Sequence, residues 1–242
     1  MFCILLANCS NGVDPRYGVS ASPRIVDDGE AVPKGGGVYR VGNPYTVAGR
    51  TYIPEYNPHY QATGLASWYG EDFHGRRTAN GEVFDLNSIS AAHPTMPLPS
   101  YARVTNLSNG HSLIVRVNDR GPYHGDRIID VSKSAAHLLG FHASGTAWVR
   151  VEYVGRAPLE GSDDRILAAT LRQDEPAPTP GSVKLAATSS VPAVTTSSIG
   201  RNTHVVSALA SDVASGARRM SYAEGPAGRD GTDQFLNGRG LY

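Results

Sequence analysis

The feature that most constrains this fold is a series of short apolar runs with a period of two, concentrated between residues 64 and 155. The runs LIVRV (113–117) and VRVEYV (149–154) alternate or stay apolar, as half-buried and buried strands do. ARVTNL (102–107) and HSLIVRV flank an Asn-Gly pair, a strong hairpin signal because both residues tolerate positive φ. The pattern therefore predicts a mainly β domain.

Other signals define the connections between these strands. Asn80-Gly81 marks a second tight turn, and Ser132 as N-cap, KSAAHLL as body and Gly140 as C-cap predict one short helix. About five or six short strands in so small a domain must hide their sheet edges, and a small barrel is the natural solution.

The segments on either side differ in composition. Residues 10–61 are predicted to be a mostly irregular leader, with a short hairpin over 38–54 that packs on the domain. The barrel is assigned to residues 62–157. Residues 158–242 are predicted to form a largely disordered, low-complexity tail, since 17 of the 25 residues in 176–200 are Pro, Ala, Ser or Thr.

Charge, hydropathy and cysteine content exclude several classes of protein. With 22 basic and 22 acidic residues, the chain has no net charge to attract nucleic acid. No apolar run approaches the roughly 18–20 residues of a membrane-spanning helix. The only cysteines are Cys3 and Cys9, so the body of the protein has neither a disulfide framework nor a cysteine-based zinc site.

The N-terminus, MFCILLANCSNG, resembles the end of a bacterial lipoprotein signal, in which the cysteine after a short apolar stretch becomes the lipidated first residue. On this interpretation residues 1–9 are the remnant of a signal and Cys9 carries the acyl chains. Asn8 departs from the usual Gly, Ala or Ser, and a positively charged leading segment is missing. The alternative is a disordered N-terminus with an incidental cysteine.

The connection between two predicted strands, VNDRGPYHGDRIID (117–130), concentrates ionisable groups on a stiff backbone. One explanation is a solvated turn, and the other is a turn that carries an active site. The charged residues there are Asp119, Arg120, Asp126, Arg127 and Asp130, with Gly121, Pro122 and Gly125 among them.

Three long motifs resemble the rare lipoprotein A family: GLASWYGEDFHGRRTANGEVFD (64–85), AAHPTMPLPSYARVTNLSNG (91–110) and VRVNDRGPYHGDRIIDVSKSAAHLLG (115–140). The resemblance covers roughly residues 38–155. It implies a six-stranded double-psi β-barrel with one or two short helices, flanked by irregular or disordered segments. Many family members carry a C-terminal peptidoglycan-binding SPOR domain, and residues 156–242 do not resemble one.

The activity implied by the family is lytic transglycosylation of bacterial peptidoglycan. The C6 hydroxyl of N-acetylmuramic acid attacks its own C1, breaks the β-1,4 bond to N-acetylglucosamine and leaves a 1,6-anhydro end. An ordinary glycosidase needs two carboxylates, but here the nucleophile comes with the substrate. One carboxyl group can therefore act first as acid and then as base, and a pKa raised by partial burial or a nearby anion would suit it.

Asp119 is the candidate for this acid and base. It directly follows an apolar strand, precedes the stiff Gly121-Pro122 pair and matches the NDRGP motif of the family. Strand alternation is expected to turn Arg120 away from it. The structural alternative is that Asp119 only hydrogen-bonds backbone amides in the turn, as Asp commonly does.

Glu82 and His93 are further catalytic-site residues implied by the resemblance, in the motifs TANGE and AAHPT. Glu82 is expected to hold a proton on Asp119 by like-charge repulsion or to help bind the sugar. The ring of His93 is expected to hydrogen-bond a sugar or a carboxylate. The alternatives are a solvated Glu beside a turn and a structural His, and all three site residues are expected to line one exposed groove.

Aromatic side chains suggest how a pyranose ring is bound, because their flat faces suit its apolar face. Trp68 and Tyr69 alternate on one strand, so at most one of them faces the groove. Trp68 and Trp148 are expected to pack in the core. The predicted substrate-binding residues are Tyr69, Asn118, Arg120 and Tyr123.

No metal ion or organic cofactor is expected, since the histidines form no HExxH pair or tight ligand cluster. The resemblance implies peptidoglycan glycan strands as substrate, with a preference for strands stripped of stem peptides, and division-site proteins as partners. It places the chain in the cell envelope at the septum, lipid-anchored in the periplasm or outer membrane. The alternative is a non-catalytic glycan-binding septal protein, because expansin-like barrels bind polysaccharide without cutting it.

Overall fold

A computed structural model describes residues 20–27, 29–162 and 164–183. Residues 1–19 and 184–242 lie outside this set, so the predictions for Cys9, for the signal remnant and for most of the tail fall outside the described residues. Within it, no helix is long and apolar enough to cross a membrane. The strands are β1 Tyr45–Val47, β2 Arg50–Tyr52, β3 Gln61–Trp68, β4 Ser90–Ala92, β5 Ser100–Asn106, β6 His111–Asp119, β7 Arg127–Val131, β8 Thr146–Arg156 and β9 Arg172–Gln173; the helices are α1 Lys133–Leu138 and α2 Asp164–Ala168, with a 3₁₀ turn at Glu71–Phe73.

Six of these strands close into a barrel in the order β4-β7-β3-β8-β5-β6, and β6 pairs back with β4. The pairs β3–β7 and β4–β6 are parallel, whereas the other barrel pairs are antiparallel. Closure leaves no open edge among the six strands. The predicted mainly β, six-stranded double-psi β-barrel is confirmed.

The strand β6 is buried along almost its whole length, because Ser112–Asp119 are buried on both of its faces. One face contributes to the barrel core, and the amide of Ile114 donates to Thr170 Oγ1 (3.0 Å), just beyond α2. In β5, by contrast, burial alternates residue by residue. A side chain at the end of β6 is therefore held by structure on several sides.

The local signals for turns and helix boundaries are confirmed. The Ser132 hydroxyl accepts from the amide of Ala135, and Gly140 at φ +75° follows the last turn of α1. Gly110 (φ +72°) and Gly81 (φ +98°) adopt the left-handed conformation that the Asn-Gly pairs predict.

The predicted hairpin in the leader is present as β1 and β2, which pair Tyr45 with Tyr52 across a turn at Ala48 and Gly49. Both turn residues have positive φ, as the tightest hairpin turns require. Tyr52 is buried against Tyr123, with ring centroids 5.4 Å apart. The leader therefore lies on the barrel.

The folded unit continues past the predicted boundary at residue 157. Leu167 in α2 and Ala177 are buried in the main core, and β9 pairs with His111 and Ser112 at the start of β6. The sequence-based boundary falls short because α2 is a helix of five residues, too short to show a periodic signal.

The expectation that Trp148 packs in the core is wrong, because its side chain is 61% exposed. Its neighbours Val149 and Val151 are fully buried, and the segment turns Trp148 to the outside. Trp68 is partly buried against the core, and its ring stacks on His142 at 4.3 Å.

Candidate active site

The predicted site residues gather around the C-terminal end of β6, whose last two residues are Asn118 and Asp119. The turn after the first barrel strand reaches this end, where the Asn80 amide donates to the Asn118 carbonyl (3.4 Å). The segment after β4 also reaches it, where the His93 amide donates to the Asp119 carbonyl (3.0 Å). Residues far apart in sequence therefore meet at one end of the barrel.

The Asp119 carboxyl is completely buried. Its Oδ1 accepts from the backbone amides of Ala79 (2.7 Å) and Arg120 (2.8 Å). The structural alternative foreseen for Asp119, a carboxyl bound by backbone amides, is thus present in the structure. The same two contacts orient the carboxyl group rigidly, which an acid/base catalyst also requires.

Three tyrosines surround this carboxyl. Burial, and in addition the charge of Asp119, raises the pKa of Tyr69 and of Tyr123 well above the ordinary value. Burial also raises the pKa of Tyr45 to about 12. The hydroxyls of all three therefore keep their protons near neutral pH.

Glu82 lies in a fully bonded ion pair with Arg116. Its Oε1 accepts from Arg116 Nη2 (2.6 Å) and Asn80 Nδ2 (2.8 Å), and its Oε2 accepts from Arg116 Nε (3.0 Å) and Asn118 Nδ2 (2.9 Å). Both side chains of the pair are about 5% exposed. The carboxylate therefore accepts four hydrogen bonds, from three residues of β6 and the 78–82 turn.

The pKa of Glu82 is lowered overall. Burial pushes it upward, but hydrogen bonding to Arg116 and the charge of that guanidinium, together with the amides of Asn118 and Asn80, outweigh the burial. Glu82 is thus ionised, and its charge is neutralised by Arg116. These contacts favour a role for Glu82 in holding Asn118, the neighbour of Asp119, rather than a role in repelling a negative charge on Asp119. The catalytic assignment of Glu82 remains a prediction.

His93 is buried and bonded through both ring nitrogens. Its Nδ1 accepts from the amides of Thr95 (3.2 Å) and Met96 (3.0 Å), so Nε2 carries the proton and lies 2.8 Å from the Tyr60 hydroxyl. Burial, and then the positive charge of Arg120, lowers the pKa of His93 to about 3. The ring is neutral and shapes the loop after β4; a direct part in the reaction remains a prediction.

The neutral, buried state of His93 makes stability depend on pH. The unfolded chain binds a proton near the ordinary pKa of 6.5, whereas the folded chain does so only near pH 3. The free energy of unfolding should therefore fall as pH drops below 6.5, by up to about 1.4 kcal/mol per pH unit from this residue. Urea unfolding between about pH 6.5 and pH 5 should show this slope in the wild type and not in His93→Gln.

A matched variant separates this effect from general acid sensitivity. His59 is exposed, and His59→Gln should keep the wild-type slope. An unchanged slope in His93→Gln would show that His93 is already protonated in the folded state.

Arg120 turns away from Asp119, as strand alternation predicts. Its guanidinium donates to the carbonyls of Met96 (2.6 Å), His93 (3.2 Å) and Val41 (2.6 Å). It therefore ties the leader and the loop after β4 to the end of β6. The predicted contact of Arg120 with a substrate remains a prediction.

The predicted substrate-binding tyrosines are buried in this structure. Tyr69 is 2% exposed and packs against Phe84, with ring centroids 4.6 Å apart, and against Phe73. Tyr123 is 7% exposed and packs on both tyrosines of the β1–β2 hairpin. Contact of either with a sugar remains a prediction.

The expected exposed groove is not present in this conformation, because Asp119, Glu82 and His93 are between 0% and 4% exposed. The segment 37–42 lies against the 78–82 turn, where the Val38 amide donates to the Asn80 carbonyl (2.8 Å). The Arg40 guanidinium donates to the Ala79 carbonyl (2.8 Å).

The β1–β2 hairpin covers the other side. The Tyr45 hydroxyl donates to the Pro94 carbonyl (2.6 Å), and its ring contacts Tyr52 (5.3 Å) and Tyr123 (6.0 Å). Sequence reasoning placed this hairpin on the domain but did not identify Tyr45 as a site neighbour.

Arg116 is the principal site residue that sequence reasoning missed. A signal was available, since Arg116 interrupts the apolar run LIVRV, and a charge in a strand buried on both faces needs a partner. Among the residues that the structure describes, no group of three or more His, Cys, Asp or Glu is placed to hold a metal ion.

Comparisons with known proteins agree with the barrel assignment. A family model described as "Lytic transglycolase" matches residues 61–151. The protein named "Endolytic peptidoglycan transglycosylase RlpA" from Pseudomonas aeruginosa (strain UCBPP-PA14) is 56% identical over 128 residues, which make up 52% of this chain and 37% of that protein.

Proteins with the same name occur in other bacteria. The Neisseria meningitidis serogroup A protein is 59% identical over 111 residues, 46% of each chain. The Rickettsia bellii protein is 42% identical over 159 residues, 63% of this chain and 69% of that protein. The present chain thus spans less than half the length of the Pseudomonas and Neisseria relatives.

Proposed function

The chain belongs to the RlpA family, and from this premise we propose that it is an endolytic peptidoglycan lytic transglycosylase with Asp119 as its acid and base. The observation that carries the proposal is the position of the Asp119 carboxyl, which two backbone amides hold at the end of β6. The names of the relatives supply the reaction class.

The proposed reaction needs one proton carrier. The Asp119 carboxyl is assigned as that carrier, and the amides of Ala79 and Arg120 hold it in place. Asp119 donates it to the leaving O4 of N-acetylglucosamine as the bond to C1 of N-acetylmuramic acid breaks. The C6 hydroxyl attacks C1 and gives its proton to the Asp119 carboxylate, which regenerates the acid without consuming water.

Around this carboxyl, Glu82, His93 and Arg120 act in the proposal as positioning residues. Glu82 and Arg116 hold Asn118, the residue before Asp119. Arg120 and His93 fix the loop after β4, whose first amide binds the Asp119 carbonyl. Sugar contacts of Asn118, Tyr69 and Tyr123 are part of the proposal and require the site to open.

Burial of Asp119 means that residues over it must move before a glycan strand can reach it. Replacing Tyr45 with Ala removes two ring contacts and the bond to Pro94. Such contacts are worth roughly 1–2 kcal/mol, so the open population should rise about tenfold. We expect a several-fold higher initial rate of anhydro-end formation on peptide-free sacculi.

The control for this test lies on the same hairpin. Thr46 is exposed and its hydroxyl bonds that of Thr51 across the turn, so Thr46→Ala should leave the rate unchanged. A folded Tyr45→Ala protein with a lower rate would instead make the hairpin part of the substrate site.

The biological setting is proposed from the resemblance to the family. The substrate is glycan stripped of stem peptides, and the process is separation of daughter cells. The protein is proposed to act in the cell envelope at the septum, attached through lipid on Cys9 and in contact with division-site proteins. It uses neither a metal ion nor an organic cofactor.

Complete burial of Asp119 is the observation that favours the second candidate, a non-catalytic glycan-binding protein. The two are separated by incubating the chain with purified sacculi and measuring soluble fragments and sedimentation in parallel. An enzyme releases muropeptides or glycan fragments with anhydro ends. A binding protein sediments with intact sacculi and releases nothing.

A further inference from the structure

A second feature lies at the same end of the barrel, a cavity of about 170 Å³ that we call the tyrosine cleft. Residues of the leader, of the Pro97–Ser100 segment and of the end of β8 form its walls. Those on which the argument depends are Tyr39, Arg40, Tyr56, Ser100, Tyr153 and Arg156.

The cleft presents aromatic faces to solvent. Tyr39 is 42% exposed and Tyr56 is 64% exposed, although large aromatic side chains are usually more buried. Tyr56 meets Tyr153 edge to face, with ring centroids 5.8 Å apart. Exposed rings arranged around a concavity suit the apolar face of a pyranose.

The cleft also carries an oriented positive charge. The Arg156 guanidinium lies over the Tyr39 ring, 4.4 Å from its centroid, and this contact fixes the position of its N–H donors in the cleft. Within residues 20–27, 29–162 and 164–183 the Arg156 side chain has no hydrogen-bond or ion-pair partner, and the cleft lining contains no Asp or Glu. A carboxylate, which can accept two parallel N–H bonds, is the group that complements such a guanidinium.

Strand register places the cleft near Asp119. Ser100 pairs with Val117 on one side and with Arg156 on the other. Asp119 is two residues beyond Val117, so Arg156 is two strands across from the site and two residues back along it, roughly 12 Å at the usual strand dimensions. A glycan strand bound in the cleft can therefore extend to Asp119 once the residues over that carboxyl move.

We propose that the tyrosine cleft is a subsite for an N-acetylmuramic acid residue whose lactyl carboxylate is free, with Tyr39 and Tyr56 packing on the sugar and Arg156 binding the carboxylate. The inference rests on the proposed function, because it takes the glycan strand as the ligand. An attached stem peptide converts the lactyl carboxylate to an amide and removes the charge. The subsite therefore distinguishes stripped from peptide-bearing strands.

The test measures binding separately from cleavage. The full-length chain carrying Asp119→Asn is titrated in a calorimeter with peptide-free glycan oligosaccharides. One ligand has free lactyl carboxylates, and in the other the same carboxylates are converted to methylamides. Adding Arg156→Gln should weaken binding of the free form about tenfold, as expected for a lost charge-assisted pair, and leave the amidated form unchanged. Adding Tyr39→Ala should weaken both forms.

Two variants on β8 serve as controls, Arg150→Gln for the charge and Trp148→Ala for an exposed ring, and neither should change binding. Equal effects of Arg156→Gln on both ligand forms, no effect at all, or no glycan binding by the parent would overturn the subsite. Anhydro-end formation by the chain with an intact Asp119 is scored independently, so failure of the subsite leaves the proposed enzyme standing.

Discussion

Replacing Asp119 with Asn should reduce the rate of 1,6-anhydro-end formation on peptide-free sacculi by at least about 10³-fold. Asn keeps the size of the side chain and an oxygen for the amides of Ala79 and Arg120, so the end of β6 should retain its shape. It cannot donate a proton to the leaving oxygen or accept one from the C6 hydroxyl. Because one group serves both steps, no second carboxyl compensates.

The matched control is Asp126→Asn in the same loop. The Asp126 side chain is fully exposed, and its φ of +50° suits Asn as well as Asp. This variant should cleave at the wild-type rate. If Asp119→Asn retained activity while folded, Asp119 would be a structural turn residue and the acid would have to be sought elsewhere.

Breaking the ion pair between Glu82 and Arg116 should have the largest effect on stability. Glu82→Gln leaves the Arg116 guanidinium buried without a counter-charge, which costs about 3–5 kcal/mol. Urea unfolding monitored by tryptophan fluorescence measures the loss. Since the pKa of Glu82 is lowered, the pair stabilises the fold above the ordinary pKa of 4.5, and this stability is lost as pH falls through the lower folded value.

Two controls test whether burial causes the effect. Glu71 pairs with Lys133 at 2.7 Å on the surface, and Glu71→Gln should leave stability nearly unchanged. The double change Glu82→Leu with Arg116→Met removes both charges and should be less destabilising than Glu82→Gln alone. A Glu82→Gln protein as stable as the wild type would contradict this account of the pair.

Much of the barrel follows from local sequence patterns. Alternating burial marks β5, and a continuous apolar run marks β6, which is buried on both faces. Ser132 and the Asn-Gly pairs mark helix and turn positions through their backbone preferences. Asp119 could be singled out because it ends a buried strand before a stiff turn.

The remaining features depend on contacts between distant segments. The partner of Glu82 is 34 residues away, and the two meet only when the barrel closes. The outward direction of Trp148 and the burial of Leu167 depend on tertiary packing. The cover over the site comes from Tyr45 and the 37–42 segment, whose irregular sequence carries no periodic signal for where they dock.

The most direct test of the central claim is to identify the new glycan ends that the wild-type chain produces from peptide-free sacculi in water enriched in H₂¹⁸O. Mass spectrometry should find 1,6-anhydro-N-acetylmuramic acid ends that lack the elements of one water and carry no heavy oxygen. Ends that have gained water would make the protein a hydrolase. Sacculi that bind the protein and gain no new ends would make it a recognition module.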